Sequence, residues 1–194
     1  MPSTTPANHA VVSFDDEPLI RVDSEDNLLG FESKDACHDG EGLLHRAFSI
    51  FLFDRRGRLL LQQRSPQKRL WPGFWANSCC SHPRRGESDT EAAARRIHEE
   101  LGVSPPLTFL YRFEYHARYG DLGSEHELCS VYAATDDHPV RVNINEIADI
   151  QWIEPDALDA ELAEHPERYA PWLKLEWPQV RADHWARITG STKA

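Results

Sequence analysis

The chain has no apolar run of membrane-spanning length, so no transmembrane helix is expected. Its N-terminus, MPSTTPANHAVVSFDDEPL, lacks a basic stretch followed by an apolar one, which argues against a secretory signal. It has no spaced cysteine framework: the four cysteines stand at 37, 79, 80 and 129. Reduced thiols and a cytoplasmic location are the better reading, and a Cys79–Cys80 disulfide would be strained. Nor is there an excess of positive charge. At −11 net the chain is a poor match for a phosphate backbone, which argues against nucleic acid. Internal repeats, low-complexity tracts and CxxC or HExxH metal patterns are also missing. What remains is ordinary for a globular protein: 194 residues, 40% hydrophobic and 27% charged, enough for one domain with a full core. Residues 1–16 read as a disordered tail and 17–194 as a single domain.

The charge is unevenly spread. Residues 55–96 hold ten Lys and Arg against three acids, leaving the rest of the chain strongly acidic. A local basic region in an acidic protein suits a small anionic ligand held at short range, although a solvated basic face fits composition equally well. The segment Glu17–Asp23 predicts a short strand, 24–27 a turn, and Gly30–Gly42 a polar, irregular stretch. His45–Asp54 is apolar on both faces, as a central strand requires, and with Arg58–Arg64 it predicts a hairpin. Ser88 and Glu91 form a capping-box pattern ahead of an apolar stripe (Ala92, Ala93, Ile97, Leu101) that ends at Gly102. Strands follow over Leu107–Tyr119, Glu125–Ala133 and Asn145–Ile153, then helices over Glu154–Ala163 and from about Pro171 to Ile188. This order predicts a mixed α/β layer structure.

The densest chemistry lies in Trp71–Val103, WPGFWANSCCSHPRRGESDTEAAARRIHEELGV. Read as strand, loop and helix, it offers Cys80, His82, Glu87, Arg96, Glu99 and Glu100 to one cleft. An extended Phe74–His82 places Ser78, Cys80 and His82 on one face, with Asn77, Cys79 and Ser81 on the other. Trp71, Phe74 and Trp75 are candidates for an apolar wall or for ordinary core. Elsewhere, Glu125 and Glu127 share one strand face, where like charges repel unless one is protonated or a cation neutralises them. With His38, His45 and His82 they suit a divalent ion such as Zn²⁺, Mn²⁺ or Mg²⁺, although each histidine taken singly reads as easily as a satisfied structural residue. Acids at a helix C-terminus oppose its dipole, which favours a metal role for Glu99 and Glu100 over a helix-stabilising one.

These residues resemble the Nudix signature, G-x5-E-x7-R-E-U-x-E-E-x-G-U, where U is aliphatic. In that register Glu87 and Arg95 match, followed by Glu99-Glu100-Leu101-Gly102-Val103. Ser81 replaces the first glycine, and Arg96 replaces a metal-loading glutamate, which puts diphosphate hydrolysis in doubt. With HRAFSIFLF, WPGFWANSCCSHP, SEHELCSVY and YAPW, the chain from about residue 17 onward closely resembles type I isopentenyl diphosphate isomerases. That resemblance implies a Nudix-like α+β fold with mixed sheet layers, flanking helices and C-terminal helices.

It also implies roles. Cys80 and Glu127 match the catalytic pair, with Tyr115 beside the glutamate. His38, His45, His82, Glu125 and Glu127 match a five-ligand metal site for Zn²⁺, Mn²⁺ or Mg²⁺. Glu100 matches the carboxylate for a second Mg²⁺ that arrives with the substrate diphosphate. Lys34, Arg64, Lys68 and Arg96 match diphosphate-binding residues, and Trp172 the aromatic beside the hydrocarbon. The implied reaction moves a carbon–carbon double bond without net redox change and supplies isoprenoid synthesis. The expected partner is a small isoprenyl diphosphate, with neither a membrane nor an obligate protein partner. A Nudix diphosphate hydrolase is the alternative, and a non-catalytic metal- or diphosphate-binding module a third reading.

Overall fold

The computed structural model describes residues 8–190. Two antiparallel strands, β1 (Pro18–Val22) and β2 (Leu28–Ser33), lead into a short helix, α1 (Lys34–His38). The long apolar strand β3 (His45–Phe53) follows, then β4 (Leu59–Arg64), β5 (Trp75–Ala76) and β6 (Cys79–Ser81). Helix α2 (Asp89–Leu101) precedes β7 (Thr108–Tyr119), β8 (Gly123–Thr135) and β9 (Ile147–Ile153). The chain closes with α3 (Pro155–Glu164), α4 (Pro171–Gln179) and α5 (Trp185–Thr189), the last two joined by a π-helical turn over Val180–His184. Among the described residues no helix is long and apolar enough to cross a membrane.

β3 is the centre, as its two-sided apolarity requires. Phe48, Ile50 and Leu52 point to one side and pack with Ala92, Ala93, Ile97 and Leu101 of α2. Phe51 and Phe53 point to the other and pack with Leu158, Leu173, Trp177 and Val180 of the C-terminal helices. Period-two alternation along one strand thus feeds two cores. α2 forms where expected. Ser88 and Glu91 make a reciprocal capping box, and Gly102 ends the helix at φ 69°. A Cβ added at Gly102 would stand 2.9 Å from Cβ of Arg141, so both conformation and space select glycine.

The β3–β4 hairpin holds only at its turn, where Phe53 pairs with Leu59. Beyond that the strands part, and Trp75–Ser81 fills the gap. β5 pairs with β4, and β6 pairs with β3. The two residues between them bridge the seam with side chains. Ser78 Oγ donates to the Leu60 carbonyl at 2.6 Å and accepts from the Leu52 amide at 2.8 Å. Asn77 Nδ2 donates to the Ile50 carbonyl at 3.2 Å. Backbone groups that a continuous ladder would satisfy are satisfied here by two polar side chains. The interruption reverses the expected faces: Ser78 turns into the seam and Asn77 comes to the Cys80 side.

Two further expectations need correction. Residues within Gly30–Gly42 are not irregular, because β2 and α1 occupy most of that stretch. β2 carries Leu28 and Leu29 outward on a sheet edge, so no polar–apolar alternation announces it. The expected tail is also anchored in its described part. Asn8 bridges to Asn143, and the Val12 carbonyl accepts from Arg96 Nη1 at 2.6 Å. Residues 1–7 of that tail lie outside the described residues.

Candidate active site

Parallel pairing of β3 with β8 puts His45 directly beside Glu127, and the period of two brings Glu125 to the same face. α1 delivers His38, and the end of β6 delivers His82. One ligand atom from each of these five residues lies within 4.8 Å of all the others. Two imidazoles are held by local carbonyls: His38 Nδ1 lies 2.6 Å from the Lys34 oxygen and His45 Nδ1 2.6 Å from the Leu43 oxygen. Those contacts fix Nδ1 as the donor and leave Nε2 with its lone pair toward the cluster. His45 Nε2 is buried with no hydrogen-bond partner. Glu125 Oε2 lies 2.8 Å from His38 Nε2, an ion pair that needs the imidazole protonated where no cation is bound. Three nitrogens and two carboxylates converging on one point, with an orphaned nitrogen among them, fit a divalent ion.

The electrostatics keep two of the three imidazoles neutral. Burial holds the His45 imidazole down at about 3, so it stays neutral, the form that ligates. Burial, then the neighbouring His45, pushes His82 down in the same way. Burial opposes the charge on His38, but the Glu125 carboxylate outweighs it and raises the imidazole. Burial and then Glu125 push the Glu127 carboxyl well above its usual range. Tyr115, itself buried, donates its hydroxyl to Glu127 Oε2 at 2.7 Å.

The cluster forms part of the wall of a cavity of about 450 Å³. Cys80, Tyr115, Glu127 and Trp172 line it together with Lys34, Arg64, Lys68 and Arg96, and with Arg69, which is paired with Asp39. Cys80 donates its thiol proton to Asn77 Oδ1 at 2.9 Å, and the Trp172 indole donates to the same oxygen at 3.1 Å. Burial, then Glu176, raises the Cys80 thiol well above its normal range. Arg64 is fixed by the carbonyls of Leu70 (2.9 Å) and Trp71 (3.1 Å), with its guanidinium 5.0 Å from the Trp172 ring centre. Trp71 accepts this role at φ 48°, a left-handed conformation costly for a large side chain.

Lys34, Lys68 and Arg96 group around two buried carboxylates. Arg96 is 3% exposed and pairs with Glu100 through Nε at 3.0 Å and with Glu146 at 3.3 Å. Lys68 also pairs with Glu146, and Lys34 donates to Ser13 Oγ. Burial, then Lys68, lowers the Lys34 ammonium. Burial opposes the charge on Glu146, but Lys68 and Arg96 outweigh it and hold the carboxyl low. Lys34, Lys68 and Arg96 are thus gathered at one end of the cavity, where charge-assisted hydrogen bonds to an anion can form.

Not every residue of the dense stretch reaches the cleft. Glu87 instead accepts both Arg95 guanidinium nitrogens, at 2.7 and 2.8 Å, plus the Arg84 amide at 2.8 Å. Glu99 pairs with Arg95 at 3.1 Å and with Arg96 at 3.5 Å. Both acids therefore brace the loop and helix rather than face the cavity. Glu100 stands behind Arg96 and does not line the cavity. Trp71, Phe74 and Trp75 do not line it either; Leu70 does, while Trp71 backs Trp172 with ring centres 5.5 Å apart. Sequence reasoning missed Asn77, Ser49, Glu146 and the pocket-lining Ser13. Asn77 takes the face opposite to the one expected, Ser49 lies in HRAFSIFLF as an ordinary strand residue, and Glu146 and Ser13 sit in no motif.

Comparison with known proteins agrees with this geometry. The NUDIX domain model matches residues 43–175. The chain is 37% identical over 174 residues to isopentenyl-diphosphate Delta-isomerase 1 of Photorhabdus laumondii, covering 89% of this chain and 99% of that protein. It is 43% identical over 180 residues to the isopentenyl-diphosphate Delta-isomerase of Serratia proteamaculans, covering 91% and 99%. Among solved structures, the DR0079 protein of Deinococcus radiodurans superposes with a TM-score of 0.70 at 26% identity, covering 84% of this chain and 98% of that one. The chain belongs to the isopentenyl-diphosphate Delta-isomerase family, on an α+β Nudix fold.

Proposed function

We infer that this chain interconverts isopentenyl diphosphate and dimethylallyl diphosphate. The observation that carries the assignment of roles is a shared cavity: a thiol, a carboxyl–phenol pair, an indole and the cations Lys34, Arg64, Lys68 and Arg96 line one space. The reaction adds a proton to the terminal alkene carbon and removes one from the carbon next to the diphosphate-bearing one. Between these steps a tertiary carbocation stands at the branched carbon. Cys80 and Glu127 are the two proton carriers, and Tyr115 orients the Glu127 carboxyl through its 2.7 Å hydrogen bond. Trp172 presents its indole to the hydrocarbon and stabilises the cation by about 2 kcal/mol where water is excluded. Lys34, Arg64, Lys68 and Arg96 hold the diphosphate by charge-assisted hydrogen bonds.

The five-residue cluster is the site for one divalent ion, Zn²⁺, Mn²⁺ or Mg²⁺; Glu100, the carboxylate that the resemblance gives to a Mg²⁺ accompanying the diphosphate, is paired with Arg96 behind the cavity wall and would have to release it to reach such an ion. When bound, such ions strengthen the acidity of Glu127 and neutralise phosphate charge. Arg96 occupies a position where a hydrolase would use a carboxylate to load metal, so the scaffold binds the diphosphate without cleaving it. The four cysteines are free, which supports a reducing, cytoplasmic compartment. No protein partner is needed for this chemistry.

Proton NMR of isopentenyl diphosphate with the protein and Mg²⁺ in D₂O tests the reading. Dimethylallyl signals carrying deuterium are expected. Release of phosphate without alkene migration would instead identify a hydrolase.

A further inference from the structure

Glu176 lies on α4, between the apolar Trp172–Leu173 pair and Trp177, and is 0% exposed. Among the described residues no cation pairs with it, and its Oε2 has no hydrogen-bond partner. An apolar side chain would fill this place without the cost of desolvating a carboxyl. The polar side chains that reach it are Ser49 and Cys129. Cys129 Sγ stands 3.6 Å from Glu176 Oε1 and 3.6 Å from Ser49 Oγ. Ser49 Oγ stands 3.5 Å from Cys80 Sγ, since β3 and β6 pair these two residues directly. A continuous polar path thus runs from a sealed carboxyl to the thiol that faces the cavity.

We propose that Glu176 is the internal proton reservoir of Cys80, joined to it through Cys129 and Ser49. It touches no substrate atom and is a positioning residue. This inference rests on the reading of Cys80 as a proton carrier. When Cys80 gives its proton to the alkene, its S–H bond breaks as the new C–H bond forms. The Ser49 O–H proton then passes to the Cys80 sulfur, the Cys129 S–H proton passes to Ser49 Oγ, and the Glu176 carboxyl proton passes to Cys129 Sγ. Glu176 ends as a carboxylate, Ser49 and Cys129 are unchanged and Cys80 is again a thiol. After product leaves, water in the open cavity restores the balance through Cys80. The relay keeps the proton just delivered to carbon from falling straight back to sulfur.

Burial, opposed only in part by Ser49 and Cys129, pushes the Glu176 carboxyl up to about 8, so the reservoir is loaded at neutral pH. The titratable groups facing it are Cys129 and Glu127 on β8, Cys80 on β6 and Tyr111 on β7, whose hydroxyl donates to the Glu176 carbonyl at 3.2 Å. None of these supplies a positive charge.

The test is Glu176→Gln, which keeps the shape and removes the transferable proton. The expected result is a fall in kcat of about tenfold or more, with KM, bound metal and Tm unchanged. The wild-type alkaline fall in kcat near pH 8 should disappear. Ser49→Ala breaks the path without touching the carboxyl. It should lose activity similarly, and the double variant should be no worse than the poorer single one. A Glu176→Gln enzyme with wild-type kcat and alkaline limb, beside an inactive Cys80→Ala, overturns the relay alone. So does an additive double variant. An active Cys80→Ala instead overturns the reading beneath it.

Discussion

Asn77 shows how much one buried amide can fix. Its nitrogen donates to the Ile50 carbonyl, which sets the amide's orientation and aims the oxygen at both Cys80 and Trp172. One atom therefore positions a proton carrier and the ring beside the substrate. Asn77→Ala should leave the Trp172 N–H unpaired, costing roughly 1–3 kcal/mol of stability. We expect kcat to fall about tenfold to a hundredfold with a smaller change in KM, since the lost interaction orients groups rather than holding the diphosphate. An unchanged kcat would show the amide to be packing only. Glu176 makes a second residue-scale prediction, this time about stability. Its folded carboxyl titrates near 8 against an ordinary value of 4.5. The folded state therefore holds a proton that the unfolded chain gives up. The stabilisation is complete below about pH 4.5 and declines as pH rises to about 8, by on the order of 5 kcal/mol. Glu176→Gln removes this contribution, so urea unfolding across that range should show a weaker loss of stability with pH than the wild type.

Among the elements, the seam between β3 and β4 decides the site. If the hairpin continued its ladder, Cys80 and His82 would have no place beside β3. Ser78 keeps the seam filled by serving Leu60 and Leu52 at once, and Ser78→Ala leaves both backbone groups buried and unpaired. The expected cost is about 2–3 kcal/mol by urea unfolding, against about 1 kcal/mol for Ser88→Ala at the exposed cap of α2. Equal costs would show that the backbone closes over the gap. This seam also marks the limit of what the sequence discloses. β3 and α2 were legible because apolar periodicity and a capping box are local signals. The five-residue cluster and the cavity cations were named through the family resemblance, and the structure brings all five together. The reversal at Asn77–Ser78 was not legible, because it depends on two strands parting some twenty residues upstream. Glu87 and Glu99 share the helix chemistry of Glu100, yet only the partner each finds in Arg95 shows that they brace the scaffold. β2 escaped notice because its leucines face outward, and Glu146 because its partners, Lys68 and Arg96, lie far from it in sequence.

At the scale of the whole molecule, the anion end of the cavity is closed by a segment that sequence composition marks as a tail. Val11, Ser13 and Asp15 line the cavity. The Val12 carbonyl accepts from Arg96, Ser13 accepts from Lys34, and the segment is pinned to the 142–145 loop by Asn8, Asn143 and Asn145. It thus orders two of the cavity cations while Val12 alone of its side chains joins the buried hydrophobic set. Its contribution to binding should therefore exceed its contribution to folding. Deleting residues 1–13 frees the Arg96 and Lys34 side chains, each of which must then lose on the order of 1–2 kcal/mol of rotamer freedom when it grips the substrate. Together with the lost wall, that corresponds to a rise in KM of about tenfold or more. The cores on both sides of β3 and the five-residue cluster lie elsewhere, so Tm should fall only slightly and bound metal should stay constant. If KM is unchanged, Arg96 and Lys34 are held well enough by Glu100, Glu146 and α1. If Tm collapses, the segment belongs to the fold rather than to the site.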